Sequence, residues 1–206
     1  MASKKEHWES AYRGRPADEL GWYQEEPTLS LELIRAHVED RGHPILDVGG
    51  GASTLVDHLL AAGFDDVTVL DISGPALELA RARLGGLARR VAWVQADATD
   101  FTPEQRWHVW HDRAVFHFLT EESDRQSYID ALRAGLVPGG RAIMATFSLE
   151  GPERCSGLPV VRYSPETLTA ELGAGFSLLE SRREIHHTPG GGEQAYQYSA
   201  FERSDP

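Results

Sequence analysis

Four stretches of this 206-residue chain combine residue types and spacings that could do chemistry. The first is Asp47-Val48-Gly49-Gly50-Gly51-Ala52-Ser53, a carboxylate two residues ahead of a glycine triplet. Glycines let the backbone turn sharply and let a ligand come close, and the acid beside them suits a ligand with a cationic tail. The second is Asp71, twenty residues past Gly51, where a carboxylate can accept hydrogen bonds from ribose hydroxyls. In the third, Gln95-Ala96-Asp97-Ala98, Asp97 can accept from the exocyclic amine of an adenine. The fourth is a dense polar cluster of His111, Asp112, Arg113 and His117. His111 is the candidate for a general base or for a group that orients an acceptor. Two familiar nucleotide loops do not match. Gly49 and Gly51 are followed by Thr54, where the dinucleotide fingerprint G-x-G-x-x-G needs a third glycine, and there is no G-x-x-x-x-G-K-[ST].

Other polar residues read more plainly. His117 lies inside the apolar run Val115-Phe116-His117-Phe118-Leu119 and reads as a satisfied core histidine. His186 and His187 are adjacent on an extended run, so they point to opposite faces and do not share a metal ion; no metal is expected. Cys155 either reaches the pocket or is an inert small side chain, with no charge pattern beyond Arg154 to activate it. Arg154 and Arg162 flank its loop and suit either an acidic acceptor or solvent. Trp8, Tyr12, Trp22 and Tyr23 put four large aromatics into 16 positions, which a disordered tail does not usually carry.

The elements that must hold these residues alternate. Extended runs are expected at 45–48, 67–70, 91–94, 107–111 and 141–147, with helices over 53–62, 75–84 and 125–136 between them. A Gly- and Pro-rich loop fills 148–163, and a short helix follows to Leu172 with Ser164 as its N-cap. Two last runs, 176–187 and 193–201, joined through Thr188-Pro189-Gly190-Gly191-Gly192, read as a hairpin. The expectation is an α/β, doubly wound, mostly parallel sheet with helices on both faces and one antiparallel strand. The spacing of Leu29, Leu33, Ile34 and Val38 predicts a further helix ahead of the first strand. Residues 1–44 are thus expected to form an N-terminal cap or lid, and 45–206 the main domain. If 8–12 is helical, Trp8 and Tyr12 share a face, and the rings are expected to close over the ligand end.

Composition narrows the function. The formal net charge of −12 argues against a general nucleic-acid binder. A single cysteine excludes an intrachain disulfide, and no apolar run approaches the ~18 residues of a membrane span. The opening residues lack an apolar stretch, so no secretory signal and a cytoplasmic location are expected.

With these motifs in place, the chain resembles the class I S-adenosylmethionine (SAM)-dependent methyltransferases over about residues 45–201. ILDVGGGAS (45–53), VTVLDIS (67–73), VQADATDF (94–101), WHVWHDRAVFHFL (107–119) and LVPGGRAIMATF (136–147) match that family's motifs in order. HWESAYRGRPADELGWYQ (7–24) adds a finer similarity to a branch containing a mitochondrial citrate synthase lysine methyltransferase and related bacterial proteins. The resemblance implies a seven-stranded sheet of order 3-2-1-4-5-7-6 with strand seven antiparallel, and SAM as cofactor. It implies that Asp47, Gly49, Gly50 and Gly51 line the methionine end, that Asp71 holds the ribose with Ile72 against adenine, and that Asp97 and Ala98 face the adenine edge. It also puts His111 and Asp112 towards the reacting centre, with Trp8, Tyr12, Trp22, Tyr23, Arg113 and Cys155 as lid or acceptor residues. No inserted domain is seen for docking a macromolecule, so a small-molecule acceptor is the first reading and a protein lysine the second. An NAD(P)-dependent oxidoreductase and a non-catalytic SAM-binding module are the rivals from other classes.

Overall fold

The structure is a computed structural model that describes residues 3–14 and 16–204. Two helices come first, α1 (Lys4–Tyr12) and α2 (Thr28–His37). Alternating units follow: β1 (Ile45–Val48), α3 (Leu55–Ala61), β2 (Val67–Asp71), α4 (Gly74–Leu84), β3 (Val91–Gln95), β4 (Trp107–Arg113), α5 (Glu122–Gly135) and β5 (Leu136–Phe147). A small hairpin, β6 (Arg154–Cys155) and β7 (Leu158–Pro159), precedes α6 (Pro165–Leu172) and the long pair β8 (Phe176–His187) and β9 (Glu193–Arg203). The main sheet runs β3-β2-β1-β4-β5-β9-β8, parallel from β3 to β5, with β9 antiparallel to β5 and β8. Counted along the main sheet alone, this is the order the family resemblance implies.

The central strands are buried on both faces, and their two-residue period sorts side chains between two cores. Ile45, Val67, Val109 and Ile143 pack with Leu33 and Ile34 of α2 and Leu55 and Leu59 of α3. Leu46, Val48, Leu70 and Trp110 pack on the opposite face with Tyr128 and Leu132 of α5. The helices start where the chain supplies caps. Ser3 and Ser164 form capping boxes with Glu6 and Thr167, and Ser73 accepts from the Ala76 N–H ahead of Pro75, each worth about 1 kcal/mol.

Several boundaries differ from the sequence reading. β4 continues two residues past His111, because its pairing with β5 runs on through Arg113↔Ala145. α5 begins at Glu122, three residues early. β5 starts at Leu136, with an irregular register before Arg141 where Pro138-Gly139-Gly140 interrupt it. The loop 148–163 holds the β6–β7 hairpin, with Ser156 at φ 51 and Gly157 at φ 77 making the reversal.

Candidate functional site

The carboxyl ends of β1 to β4 open onto one cleft, where ligands of parallel α/β sheets bind. Its floor is the glycine loop after β1. The amides of Gly49 and Gly50 both donate to the Leu70 carbonyl, at 2.7 and 3.2 Å. A Cβ on Gly49 would run into the Val115 side chain, one on Gly50 would lie 2.5 Å from Asp47 Oδ2, and one on Gly51 2.5 Å from Asp71 Oδ2. Each glycine answers to a different neighbour, and two of the three neighbours are carboxylates.

Asp71 is 6% exposed and its Oδ1 accepts from the Ser73 amide at 2.7 Å. Burial pushes its carboxyl up to about 7, with Asp47 adding to the rise, while the amides of Ser73 and Gly51 pull the other way. The Tyr12 hydroxyl is held above its usual range by burial and by the neighbouring Asp71 charge. At the end of β3, Asp97 Oδ1 accepts from the Thr99 amide and hydroxyl at 2.9 and 2.8 Å. Asp97, Ala98 and Ile72 line the same cleft as Asp71.

The period of β4 divides the polar cluster. His111 turns towards α2: its Nδ1 lies 2.7 Å from Asp47 Oδ1 and its Nε2 2.9 Å from Ser30 Oγ. Asp47 and His111 are register partners between β1 and β4. Asp47 Oδ2 is buried without a partner. Asp112 turns the opposite way, towards α5. It accepts from the amides of Val115 (2.9 Å) and Phe116 (3.1 Å) and from the Tyr128 hydroxyl (2.5 Å). Burial pushes its carboxyl up to about 6, against those hydrogen bonds. Asp112 therefore lines neither the cleft nor the hollow behind the glycine loop. It pins the turn after β4, where Ala114 sits at φ 70, a conformation costing an L residue about 1 kcal/mol or more unless its surroundings enforce it.

The remaining wall comes from far away in the chain. Trp8 of α1 meets Trp22 and Phe118 edge-on, with ring centroids 5.8 and 4.9 Å apart, and Tyr12 meets Trp22 at 5.9 Å. These rings, with Arg113 at the end of β4, Cys155 and Leu158, line the rest of the cleft, which encloses about 950 Å³ of empty space, part of it open to solvent. Tyr23 lines the smaller hollow behind the glycine loop, together with Ser30, Asp47, His111 and Arg113, the last of which also lines the cleft. Burial raises the Cys155 thiol above its ordinary value. His117 is fully buried, its Nδ1 accepts from the Phe147 amide at 3.2 Å, and burial with the Arg113 charge pushes it down to about 3. His186 Nε2 lies 2.9 Å from the Gly21 carbonyl, while His187 is exposed beside Glu193. Among the described residues no group of three or more His, Cys, Asp or Glu could hold a metal ion, and no helix is long and apolar enough to cross a membrane. Sequence reasoning missed Ser30, Phe118 and Leu158. Phe118 was visible as a ring beside the polar cluster; Ser30 and Leu158 carried no signal.

Residues 45–140, which span β1 to β5, match the model of a family described as a methyltransferase domain. That match covers just under half of the chain and agrees with the resemblance of its motifs to class I SAM-dependent methyltransferases. It is 36% identical over 130 residues (62% of its length) to trans-aconitate 2-methyltransferase of Methylobacterium radiotolerans, and 27% identical over 143 residues (68%) to ubiquinone biosynthesis O-methyltransferase of Aromatoleum aromaticum. The matches cover 42% and 57% of those proteins, so the chain spans about half the length of these curated relatives. Among solved structures, the fold matches a protein described for converting a disulfide bond into a thioacetal group during echinomycin biosynthesis (TM-score 0.76, 21% identity, 98% of this chain and 92% of that one). It also matches the 1,6-didemethyltoxoflavin-N1-methyltransferase of Burkholderia thailandensis (TM-score 0.70, 23% identity, 86% and 78%). The cleft and the adjoining hollow suit SAM on their own terms: the glycine loop leaves no room for a Cβ, Asp47 Oδ2 beside the hollow is a buried acceptor without a donor, and Asp71 is a buried carboxyl at the cleft wall.

Proposed function

We propose that this protein transfers a methyl group from SAM to a small-molecule nucleophile bound between the strand ends and the N-terminal helix. The observation that carries this reading is the pairing of two buried carboxyls, Asp47 and Asp71, with a three-glycine cradle at the carboxyl end of a parallel sheet. Bound SAM supplies a methyl group on a sulfonium, which a nucleophile takes by in-line displacement.

In this reading the chain's own residues bind, orient and exclude water. Asp71 accepts from the ribose hydroxyls, Ile72 packs on the adenine, and Asp97 and Ala98 meet its edge. Asp47, free at Oδ2, and Gly49, Gly50 and Gly51 take the amino-acid tail. His111 is a positioning residue, holding Asp47 from behind through one ring nitrogen while Ser30 fixes the other. Asp112 shapes the turn that brings Arg113 and Ala114 to the cleft. Residues 1–44 act as a cap, with Trp8, Tyr12, Trp22 and Tyr23 sealing the site and Trp8 facing the sulfonium, an arrangement aromatic faces favour. Arg113 and Cys155 belong to the acceptor side.

Calorimetric titration tests the reading directly. SAM and its demethylated product, S-adenosylhomocysteine, should each bind one site per chain while NAD does not. With methyl-labelled SAM and a cell extract, label should appear in a small product rather than in a protein band. Absence of SAM binding would remove the proposal, and label in protein alone would move the acceptor to a polypeptide.

A further inference from the structure

We infer that the acceptor is an acid already ionised at neutral pH, with a flat, largely apolar body, and that Arg113 is the residue that recognises its charge. This rests on the methyl-transfer reading above and names the substrate class of that same cleft.

The cleft separates its charges. The carboxyls that line it, Asp71 and Asp97, stand at the ends of β2 and β3, on the proposed nucleoside side. The opposite wall carries Trp8, Trp22 and Phe118, and its ionisable side chains are Tyr12, whose hydroxyl is kept protonated by burial and by Asp71, Arg113 and Cys155, with Lys4 also in the lining. Lys4 is half exposed and paired with Asp124 at 2.5 Å, so Arg113 is the buried cation of this wall. Its Nε donates to the Tyr198 hydroxyl and its Nη1 to the Trp22 carbonyl, both at 3.0 Å. Its Nη2 is buried and makes no hydrogen bond. Nη2 is ion-paired with Glu184 Oε2 at 3.8 Å, too long for a hydrogen bond, and that oxygen accepts from the Tyr198 hydroxyl at 3.2 Å while the Gln24 amide holds Glu184 Oε1 at 3.2 Å. The guanidinium carbon sits 4.4 Å above the Tyr196 ring. The ion pair leaves the Nη2 donors without a hydrogen bond, which is costly for a buried guanidinium, and an anion is the ligand that satisfies them best.

The same wall offers no proton acceptor suited to a neutral or cationic nucleophile. An ammonium or an ordinary hydroxyl must lose a proton for its lone pair to attack. His111 has both ring nitrogens engaged, Asp112 holds the turn after β4, and His117 is not part of the lining. An ionised acid needs no base. A lone pair on its oxygen forms the new O–C bond as the C–S bond breaks, and that bond's electron pair stays on sulfur. The anion and the sulfonium become a neutral methylated product and a neutral thioether, with no proton to place. Loss of both charges in a cleft walled by indole and phenyl rings is favoured by the low local dielectric. Those three rings also fit a planar body better than a branched one.

The test measures ternary complexes with S-adenosylhomocysteine bound, using trans-cinnamate and 4-hydroxycoumarin as a carboxylate and an acidic enol, against cinnamamide and cinnamylamine. At least one of the two acids should bind about tenfold or more tightly than the amide and the amine, and which acid wins distinguishes a carboxylate from an enolate site. Arg113→Gln should lose that preference and Arg113→Lys keep part of it, each measured with S-adenosylhomocysteine at saturation for that variant. Equal binding of acid, amide and amine, binding of the amine alone, failure of both acids, or an Arg113→Gln protein that keeps the preference would each overturn the inference. Because Arg113 ties three segments together, the variant can lose its fold, and the wild-type comparison of acids with amide and amine then decides alone. Failure of S-adenosylhomocysteine itself to bind would bring down the cofactor reading and the inference with it.

Discussion

The two walls of the cleft are built in opposite ways. The nucleoside-side wall comes from the ends of β1, β2 and β3, within about fifty residues of chain, and each of its polar groups is set by the strand that carries it. The facing wall gathers α1, Trp22, the turn after β4 and the β6–β7 hairpin, and is braced by β8 and β9 through Glu184, Tyr196 and Tyr198. The first is rigid because β1 and β2 are each paired on both sides, with β3 held along β2 at the sheet edge. The second is held by side-chain contacts between segments distant in sequence, which open at lower free energy than a central strand. In the proposed function, cofactor recognition falls to the local wall and acceptor choice to the assembled one, a division that substitution on either side can break.

The largest expected effect lies on the local wall. Asp71→Ala should weaken SAM and S-adenosylhomocysteine alike, by roughly 10- to 150-fold, the worth of a charged acceptor at about 1.5–3 kcal/mol; unchanged calorimetric affinity would take Asp71 out of the site. The raised carboxyl adds a pH signature. Because Asp71 holds its proton up to about 7 in the folded chain and only to about 4 when unfolded, the native state binds the extra proton across that window. Its contribution to stability is therefore present at the acid end and lost as pH rises through about 7. Asp71→Asn should flatten that part of the profile, read as the difference between mutant and wild-type melting temperatures at pH 5 and pH 8. A difference that does not change with pH would mean that the carboxyl is ionised throughout.

On the assembled wall the effect should be smaller and selective. If the Trp8 ring faces the sulfonium, Trp8→Ala costs SAM about 0.5–2 kcal/mol, or roughly 2- to 30-fold, and costs the uncharged S-adenosylhomocysteine less. Equal loss for both ligands would reduce Trp8 to a cover. Hydrogen exchange sharpens the same point, since α1 should gain protection when either ligand is added; exchange there that ignores ligand would leave α1 packed on the flank with no part in closure.

How much of this was legible in the sequence follows the same division. The strand ends, the glycine triplet and Asp71 lie close along the chain, and their types and spacing state their surroundings. The sheet order came from the family resemblance, while the alternation of elements and the closing hairpin came from periodicity. Arg113 was visible only as one polar residue in a cluster, because its meaning lies in Trp22, Glu184 and Tyr198. Asp112 shows a rule applied in one place and overlooked in another. Adjacent strand residues face opposite sides, which separates His186 from His187, and it separates His111 from Asp112 in the same way. The sequence reading ended its fourth strand at His111, and the structure carries β4 two residues further.

The smallest effect tests the joint between the two constructions. Ser30 of α2 belongs to the N-terminal segment, yet its hydroxyl lies against His111 Nε2, and His111 in turn holds Asp47 Oδ1. This chain of contacts runs from the cap segment to the glycine loop, and Ser30 also meets the Tyr198 hydroxyl that holds Arg113. Ser30→Ala removes a buried partner and leaves Nε2 unsatisfied, at a cost of about 1 kcal/mol. If the strut aims Asp47 at the cofactor's amino-acid tail, part of that cost appears as a two- to fivefold loss of S-adenosylhomocysteine affinity, on the order of 0.5–1 kcal/mol. His111→Ala, which leaves Asp47 Oδ1 without its donor, should then lose more affinity than Ser30→Ala. If His111 is instead the general base, its removal should cut turnover by ~10²–10⁴-fold with affinity for S-adenosylhomocysteine intact. A fall in melting temperature without either change would make the strut a matter of stability alone, and would leave the cap segment's part in cofactor binding to its aromatic rings.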